Sequence, residues 1–283
     1  MSRRVKKGKL GTATISRNPA GQYFISFIVH TDEQPKEIIS DCKISADNSL
    51  GFDFGLKHFL TLSDGRTFDS PEYFKKMLDK LAKEQRILSK KQKGSKNKEK
   101  QRKKVAKIHQ KISDQRSDYL HKLSSMLVKE SQFDCFCFED LNLNGMKKMW
   151  GRKVSDLSYG AFQQMMLYKA LRAGKKVLKI GRFEPSSQIC SKCGHRQKMP
   201  LDVRTYECPE CGMMMDRDLN AAINIRNFAL RNIIKNFGTD GRLGINAFGV
   251  GSSGKYDVSC VCETADDESG KFFGKRSENG NHL

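Results

Sequence analysis

The chain has 283 residues, room for one substantial domain and a small satellite, and carries 52 Lys and Arg against 32 Asp and Glu, a formal charge of +20. An excess of that size favours polyanions through counterion release and makes nucleic acid the leading partner. Apolar runs such as Phe24 to Val29 are far shorter than the roughly 20 residues that span a bilayer, so no membrane role is expected. The basic start, Met1 to Leu10, leads into Gly-Thr-Ala-Thr rather than an apolar signal core. A cytoplasmic, nucleoid-associated protein with reduced thiols is therefore expected.

In chain order, Thr12 to Ser16 and Gln22 to His30 read as a β-hairpin around Asn18-Pro19-Ala20-Gly21. Leu50 to Phe54, His58 to Leu62 and a short stretch at Thr67 and Phe68 read as three antiparallel strands, with Asp64 in the intervening turn. Two helical patterns follow, marked by Phe74, Met77, Leu81 and Leu88, then by Val105, Ile108, Ile112, Tyr119, Leu123 and Leu127, with the break at Gly94-Ser95. Between Lys75 and Arg116 there are 17 Lys or Arg and four Asp or Glu, which predicts a helical hairpin with a cationic outer face suited to phosphate contact. Phe133 to Leu141 alternates like a central strand with acids at its exit. Tyr159 to Ala173, stopped by Gly174, reads as a helix and Lys176 to Phe183 as a strand, an α/β order. Leu219 to Ile233 reads as a last helix with Ala221, Ala222, Ile225, Phe228 and Ala229 in one buried stripe. Residues 238–283, rich in Gly, Ser, Asp and Asn, predict a flexible tail.

Cys190-Ser-Lys-Cys193 and Cys208-Pro-Glu-Cys211 are two C-x-x-C knuckles, each followed by Gly. Four thiolates so spaced can close a tetrahedron around Zn²⁺, and a ribbon with little core of its own needs that metal to fold. His195 is a weaker candidate ligand, while Cys42, Cys135, Cys137, Cys260 and Cys262 lack a comparable partner set and read as buried thiols or tail residues.

Three carboxylates stand out. Asp53, between Phe52 and Phe54, is placed at the centre of the first core strand; Glu139 ends the strand from Phe133; Asp218 opens the last helix. Taken singly, an Asp at a helix start is most often a cap and an acid at a strand end a surface group. An acid between two core Phe needs a partner. Converging acids would repel without a cation, which argues for Mg²⁺ or Mn²⁺ and for phosphodiester hydrolysis. Asp140 and Asp216 rank below Glu139 and Asp218 as alternatives.

The segments GFDFGLKHFLTLSDG from Gly51, CFEDLNLNGM from Cys137, PSSQICSKCG from Pro185 and YECPECGMMMDRDLNAAINI from Tyr206 resemble the TnpB/OrfB proteins of insertion sequences, RuvC-like nucleases related to type V CRISPR effectors. The resemblance implies an α/β fold, an RNase H-like (RuvC-type) mixed sheet with an inserted helical hairpin and a small four-cysteine zinc ribbon. It also implies catalytic Asp53, Glu139 and Asp218, and RNA-guided cleavage of DNA with guide RNA as a partner. The expected layout is a β segment over 1–48, a core over 49–184 with the basic hairpin near 72–130, the ribbon over 185–215, a last helix over 216–237 and the tail. Fewer than 55 residues precede Asp53, where the family carries a longer β-barrel part, so the hairpin reads as its remnant. The alternative is a truncated or non-cleaving nucleic-acid-binding derivative, such as a repressor or RNA-binding protein. The six His form no His-x-His pair, so strand transfer by this chain itself is not expected.

Overall fold

A computed structural model describes residues 8–30, 36–142, 145, 148, 151, 157–200 and 202–238. The chain forms two compact units. The predicted tail from residue 239 on, with Cys260 and Cys262, lies outside the described residues, and so does the Cys42 side chain, while Gly238 ends the last helix.

In one unit, β1 (Lys9–Arg17) and β2 (Tyr23–His30) form the expected antiparallel hairpin, with a register shift between Leu10 and Ala13. Its turn is closed by Asn18, whose side-chain oxygen accepts from the Gln22 N–H at 2.9 Å, while Gly21 adopts φ +87°. Both faces of this ribbon are open, leaving Ile15, Tyr23, Ile25 and Phe27 more than half exposed. The same unit holds most of α1 (Tyr73–Ser89) and the first part of α2 (Lys96–Lys129), joined through Gly94 at φ +83°. Leu81, Val105, Ile108 and Ile112 are buried while Lys83, Lys100, Lys103, Lys104, Lys107 and Lys111 are at least partly exposed, the division predicted for an amphipathic cationic hairpin. Buried Gln101 ties the helices together, its amide donating to the Glu84 carboxylate at 2.6 Å and the Glu84 carbonyl at 3.0 Å.

The other unit is built on a five-stranded sheet of order β5-β4-β3-β6-β7. Its strands are β3 (Ser49–Asp53), β4 (Leu60–Leu62), β5 (Thr67–Phe68), β6 (Cys135–Glu139) and β7 (Lys176–Ile180). The first three pair antiparallel, as expected, and β6 and β7 join parallel. Both central strands, β3 and β6, are buried up to their terminal acids, which is why their sequences are apolar on both faces. Phe52 stacks on Phe138 at 4.4 Å between ring centroids, and these rings pack with Phe54, Phe59, Phe136, the C-terminal turns of α2 and α3 (Tyr159–Ala173).

The opposite face is covered by α4 (Arg217–Gly238), whose Ile225, Phe228 and Ala229 pack with Cys135, Cys137 and Ile180. The two cysteines are buried thiols, as predicted. Helix α4 lies so close to β3 that a Cβ at Gly51 would run into the Ala222 carbonyl and stand 3.0 Å from Arg226 Cβ. Gly51 is therefore required by the packing rather than by its own dihedrals.

Several element bounds differ from the sequence reading: β1 is longer, at Lys9–Arg17, β6 is shorter, at Cys135–Glu139, and the last helix is longer, at Arg217–Gly238. Asp53 is the last residue of β3 rather than its centre, and β4 starts at Leu60 instead of His58. Strand β7 stops at Ile180, because the chain turns there, with Glu184 N–H donating to the Gly181 carbonyl at 3.2 Å. Replacing Gly51 by Ala should push α4 off the sheet and cost about 1–3 kcal/mol, as overpacking does; urea unfolding measures this, and an unchanged midpoint would contradict the close approach.

Candidate active site and metal centre

In the register of β3 and β6, Phe52 lies opposite Phe138, so the next residues, Asp53 and Glu139, stand side by side at the exits of two parallel strands. Since Phe52 and Phe138 enter the aromatic core, alternation turns both acids to the face covered by α4. The contact of Ala222 with Gly51 sets the height of α4, and Asp218, one turn earlier, falls beside Gly55 just past the end of β3. Three acids from remote parts of the sequence thus meet at one end of the sheet.

Their electrostatics follow from this proximity. Burial pushes the Asp53 carboxyl well above the usual carboxylate range, and the charges of Glu139 and then Asp218 push it further, against the pull of Arg217. Burial also raises Glu139, opposed by a hydrogen bond that the Ser186 hydroxyl donates to its Oε1. Asp218 is 9% exposed and has cations nearby, Arg217 Nε at 3.5 Å and Arg204 Nη1 at 3.9 Å. The capping role that an Asp at a helix start would ordinarily take belongs to Asp216, whose Oδ1 accepts from the Asp218 N–H at 2.9 Å and the Leu219 N–H at 3.1 Å. Asp140 is engaged elsewhere, with Arg182 at 2.8 Å. Asp64 occupies the predicted turn, accepting from the Arg66 N–H at 3.1 Å.

The cysteines form a second centre. One ligand atom from each of Cys190, Cys193, Cys208 and Cys211 lies within 4.8 Å of the others, and among the described residues the three acids do not form such a set. The sulfurs of Cys190 and Cys211 are 3.6 Å apart and those of Cys193 and Cys208 3.5 Å. A tetrahedral ion with bonds of about 2.3 Å needs sulfurs roughly 3.8 Å apart, so the thiols fit such an ion. Burial opposes ionisation of Cys190, but the backbone N–H groups of Cys193 and Lys192 and its neighbouring thiols outweigh it and bring the thiol down to about 7. The second knuckle lies in the connection between the two strands of a small sheet, β8 (Thr205–Glu207) and β9 (Met214–Asp216), and the first precedes that sheet. His195 stands outside the sulfur set, its Nδ1 being 3.8 Å from Glu210.

Several polar residues at the site escaped sequence reasoning. Asn220 and Asn224 are buried on α4 and reach toward the first knuckle. Asn220 donates to the Ile189 carbonyl at 2.7 Å and accepts from the Ser191 N–H at 3.0 Å; Asn224 donates to the carbonyls of Ser186 at 2.8 Å and Ile189 at 2.6 Å. A signal was present, since two Asn spaced i, i+4 within an otherwise apolar helical stripe mark buried polar contacts.

A fold of this kind, with acids gathered at the end of a mixed sheet and a cysteine cluster attached, can be placed among known proteins. Residues 32–149 match the family described as "Probable transposase" (OrfB_IS605), and residues 159–225 match "Cas12f1-like, TNB domain". The chain thus carries a segment similar to OrfB_IS605 transposases followed by one similar to the Cas12f1-like TNB domain. It is 38% identical over 217 residues to a Streptomyces pristinaespiralis protein named "Putative RNA-guided DNA endonuclease", covering 76% of this chain and 52% of that protein. It is 31% identical over 236 residues to "Putative RNA-guided DNA endonuclease InsQ" of Escherichia coli K12, covering 77% and 56%. The chain thus spans about half the length of these curated relatives. A solved CRISPR-Cas12f ternary complex overlays with a TM-score of 0.49 at 20% identity, over 72% of this chain and 42% of that one.

The raised Asp53 gives a testable sign. An acid whose folded value lies above its unfolded one destabilises the fold once ionised; the penalty is absent below the unfolded value of 3.8 and grows as pH rises toward the folded value. Without divalent metal, Asp53→Asn should therefore raise the urea midpoint at neutral pH, and the advantage should vanish near pH 3. A lower midpoint at pH 7 would contradict the crowding.

Proposed function

We propose that the chain is a transposon-encoded, RNA-guided DNA endonuclease that hydrolyses phosphodiester bonds with Mg²⁺ or Mn²⁺. The observation that carries this reading is the meeting of Asp53, Glu139 and Asp218 at one end of the sheet, where the ionisation of Asp53 is suppressed by burial and by the other two charges. The sheet order, three antiparallel strands continued by two parallel ones, supports an RNase H-like, RuvC-type core. The sulfur spacing supports Zn²⁺ in a structural ribbon. The names of the relatives point to the substrate: DNA, selected by a guide RNA.

In this reading the acids are the ligand set, and divalent cations bound there supply charge neutralisation on the attacking and leaving oxygens. The protein's own part is positional. Strands β3 and β6 fix Asp53 and Glu139 in parallel register, and α4 brings Asp218 to them. Arg217 and Arg204, beside Asp218, put positive charge where a phosphodiester would enter. The cationic face of α1 and α2 offers phosphate contacts without reading sequence. The layout is then an N-terminal β ribbon, a catalytic core interrupted by the basic hairpin, the zinc ribbon and the last helix. Among the described residues no helix is long and apolar enough to cross a membrane.

The protein supplied with RNA transcribed from its own element, Mg²⁺ and target DNA should cut. Asp53→Ala should lower cleavage at least about 100-fold and leave nucleic-acid binding unchanged. Binding without cleavage by the unaltered chain would instead identify a non-cleaving binder, and equal cleavage by the variant would remove the proposed centre. Chelation should separately unfold the ribbon, read as a loss of amide protection over residues 189–213, with recovery on adding Zn²⁺.

A further inference from the structure

The Ser186 hydroxyl, 6% exposed, donates to Oε1 of Glu139, and no step of the proposed hydrolysis uses it. Ser186 lies on the segment that leads from β7 into the cysteine ribbon, remote in sequence from Glu139 and yet pinned from two sides. Its N–H donates to the Glu184 carbonyl at 2.9 Å, and its carbonyl accepts from Asn224 Nδ2 at 2.8 Å. Asn224 is 3% exposed and sits on the same helix as Asp218. A continuous polar chain therefore runs from α4 through Asn224 and Ser186 to the carboxylate of β6.

We propose that Ser186 is a positioning residue for Glu139: its hydroxyl occupies Oε1, holds the carboxylate in one orientation and leaves Oε2 to ligate a divalent cation, while Asn224 holds Ser186 in place. This rests on the metal-site reading of the three acids. The chemistry is that of an outer partner of a ligating carboxylate: with one oxygen committed to a fixed donor, a cation meets a single ready ligand. Water cannot substitute easily, because Ser186 and Asn224 are both buried. A donor on a helix-anchored segment also costs less ordering when the cation arrives than a free carboxylate on a strand end would.

The test is Mn²⁺ binding to the full, zinc-loaded chain, followed by electron paramagnetic resonance of the free ion and by calorimetry, with no cleavage required. Ser186→Ala should weaken Mn²⁺ binding about 10- to 100-fold, the usual loss for an outer partner of a metal ligand. Ser186→Thr, which keeps the hydroxyl, should restore most of it. A residue acting only in packing would not give that pattern, since Thr disturbs a close-packed site more than Ala does. Should Ser186→Ala fold poorly by circular dichroism, Ser186→Cys, nearly the same size with a weaker donor, gives the answer and should still bind Mn²⁺ more weakly than the unaltered chain. Glu139→Gln and Asp53→Asn are the references. If they lose Mn²⁺ while Ser186→Ala or Ser186→Cys binds normally, the positioning role is wrong and the metal site stands. If the references also bind normally, the metal site itself fails and the positioning role falls with it.

Discussion

The close approach of α4 to the central strand at Gly51 is the constraint on which the rest of this unit depends. A helix resting on a sheet normally stands off by the length of intervening side chains, about 10 Å between layers. Here one position has no side chain, and the helix backbone sinks toward β3 beside it. That local descent sets where the first turn of α4 falls, and so whether Asp218 reaches the exits of β3 and β6. The same helix closes the sheet with Ile225, Phe228 and Ala229, so hydrophobic burial supplies the force that holds the acids together against their repulsion.

Two clusters of like groups result, and their donor atoms differ in kind. The acids offer hard oxygen donors, the kind that suits a hard cation. The cysteines offer soft sulfur at tetrahedral spacing, in a small sheet whose buried hydrophobic residues are few: Cys190, Tyr206 and Cys208 with Met199, Cys211 and Met213. Asn220 and Asn224 join the two clusters mechanically, since both fasten the first knuckle to the helix that carries Asp218. Buried amides are costly unless satisfied, and here the donor contacts tie one particular alignment of ribbon and helix.

Much of this was legible in the sequence because the signals were periodic or local. Alternation found β3 and β6, the i, i+3, i+4 stripe found α4, and the knuckle spacing found the sulfur set. Element ends were less legible: Asp53 reads as mid-strand because Phe54 continues the alternation, yet pairing stops at Asp53, while Phe54 stays buried in the aromatic core. The Asp216 and Asp218 pair could not be assigned by composition, since either acid can cap a helix; only the hydrogen bonds separate a cap from a site residue. Ser186, Asn220, Asn224 and Arg204 were missed for a common reason. Each is an ordinary polar residue whose importance comes from a partner, and the partner of Ser186 is 47 positions away in the chain.

The cysteines beneath α4 have a practical consequence. Cys135 and Cys137 are fully buried on β6, with sulfurs 3.9 Å apart, and the helix that covers them is the one that delivers Asp218. Any fluctuation that lifts α4 uncovers a pair of thiols at the moment it dismantles the acid cluster. Their rate of alkylation is thus a built-in clock for the opening of the helix. It needs only an added thiol reagent, and neither nucleic acid nor catalysis.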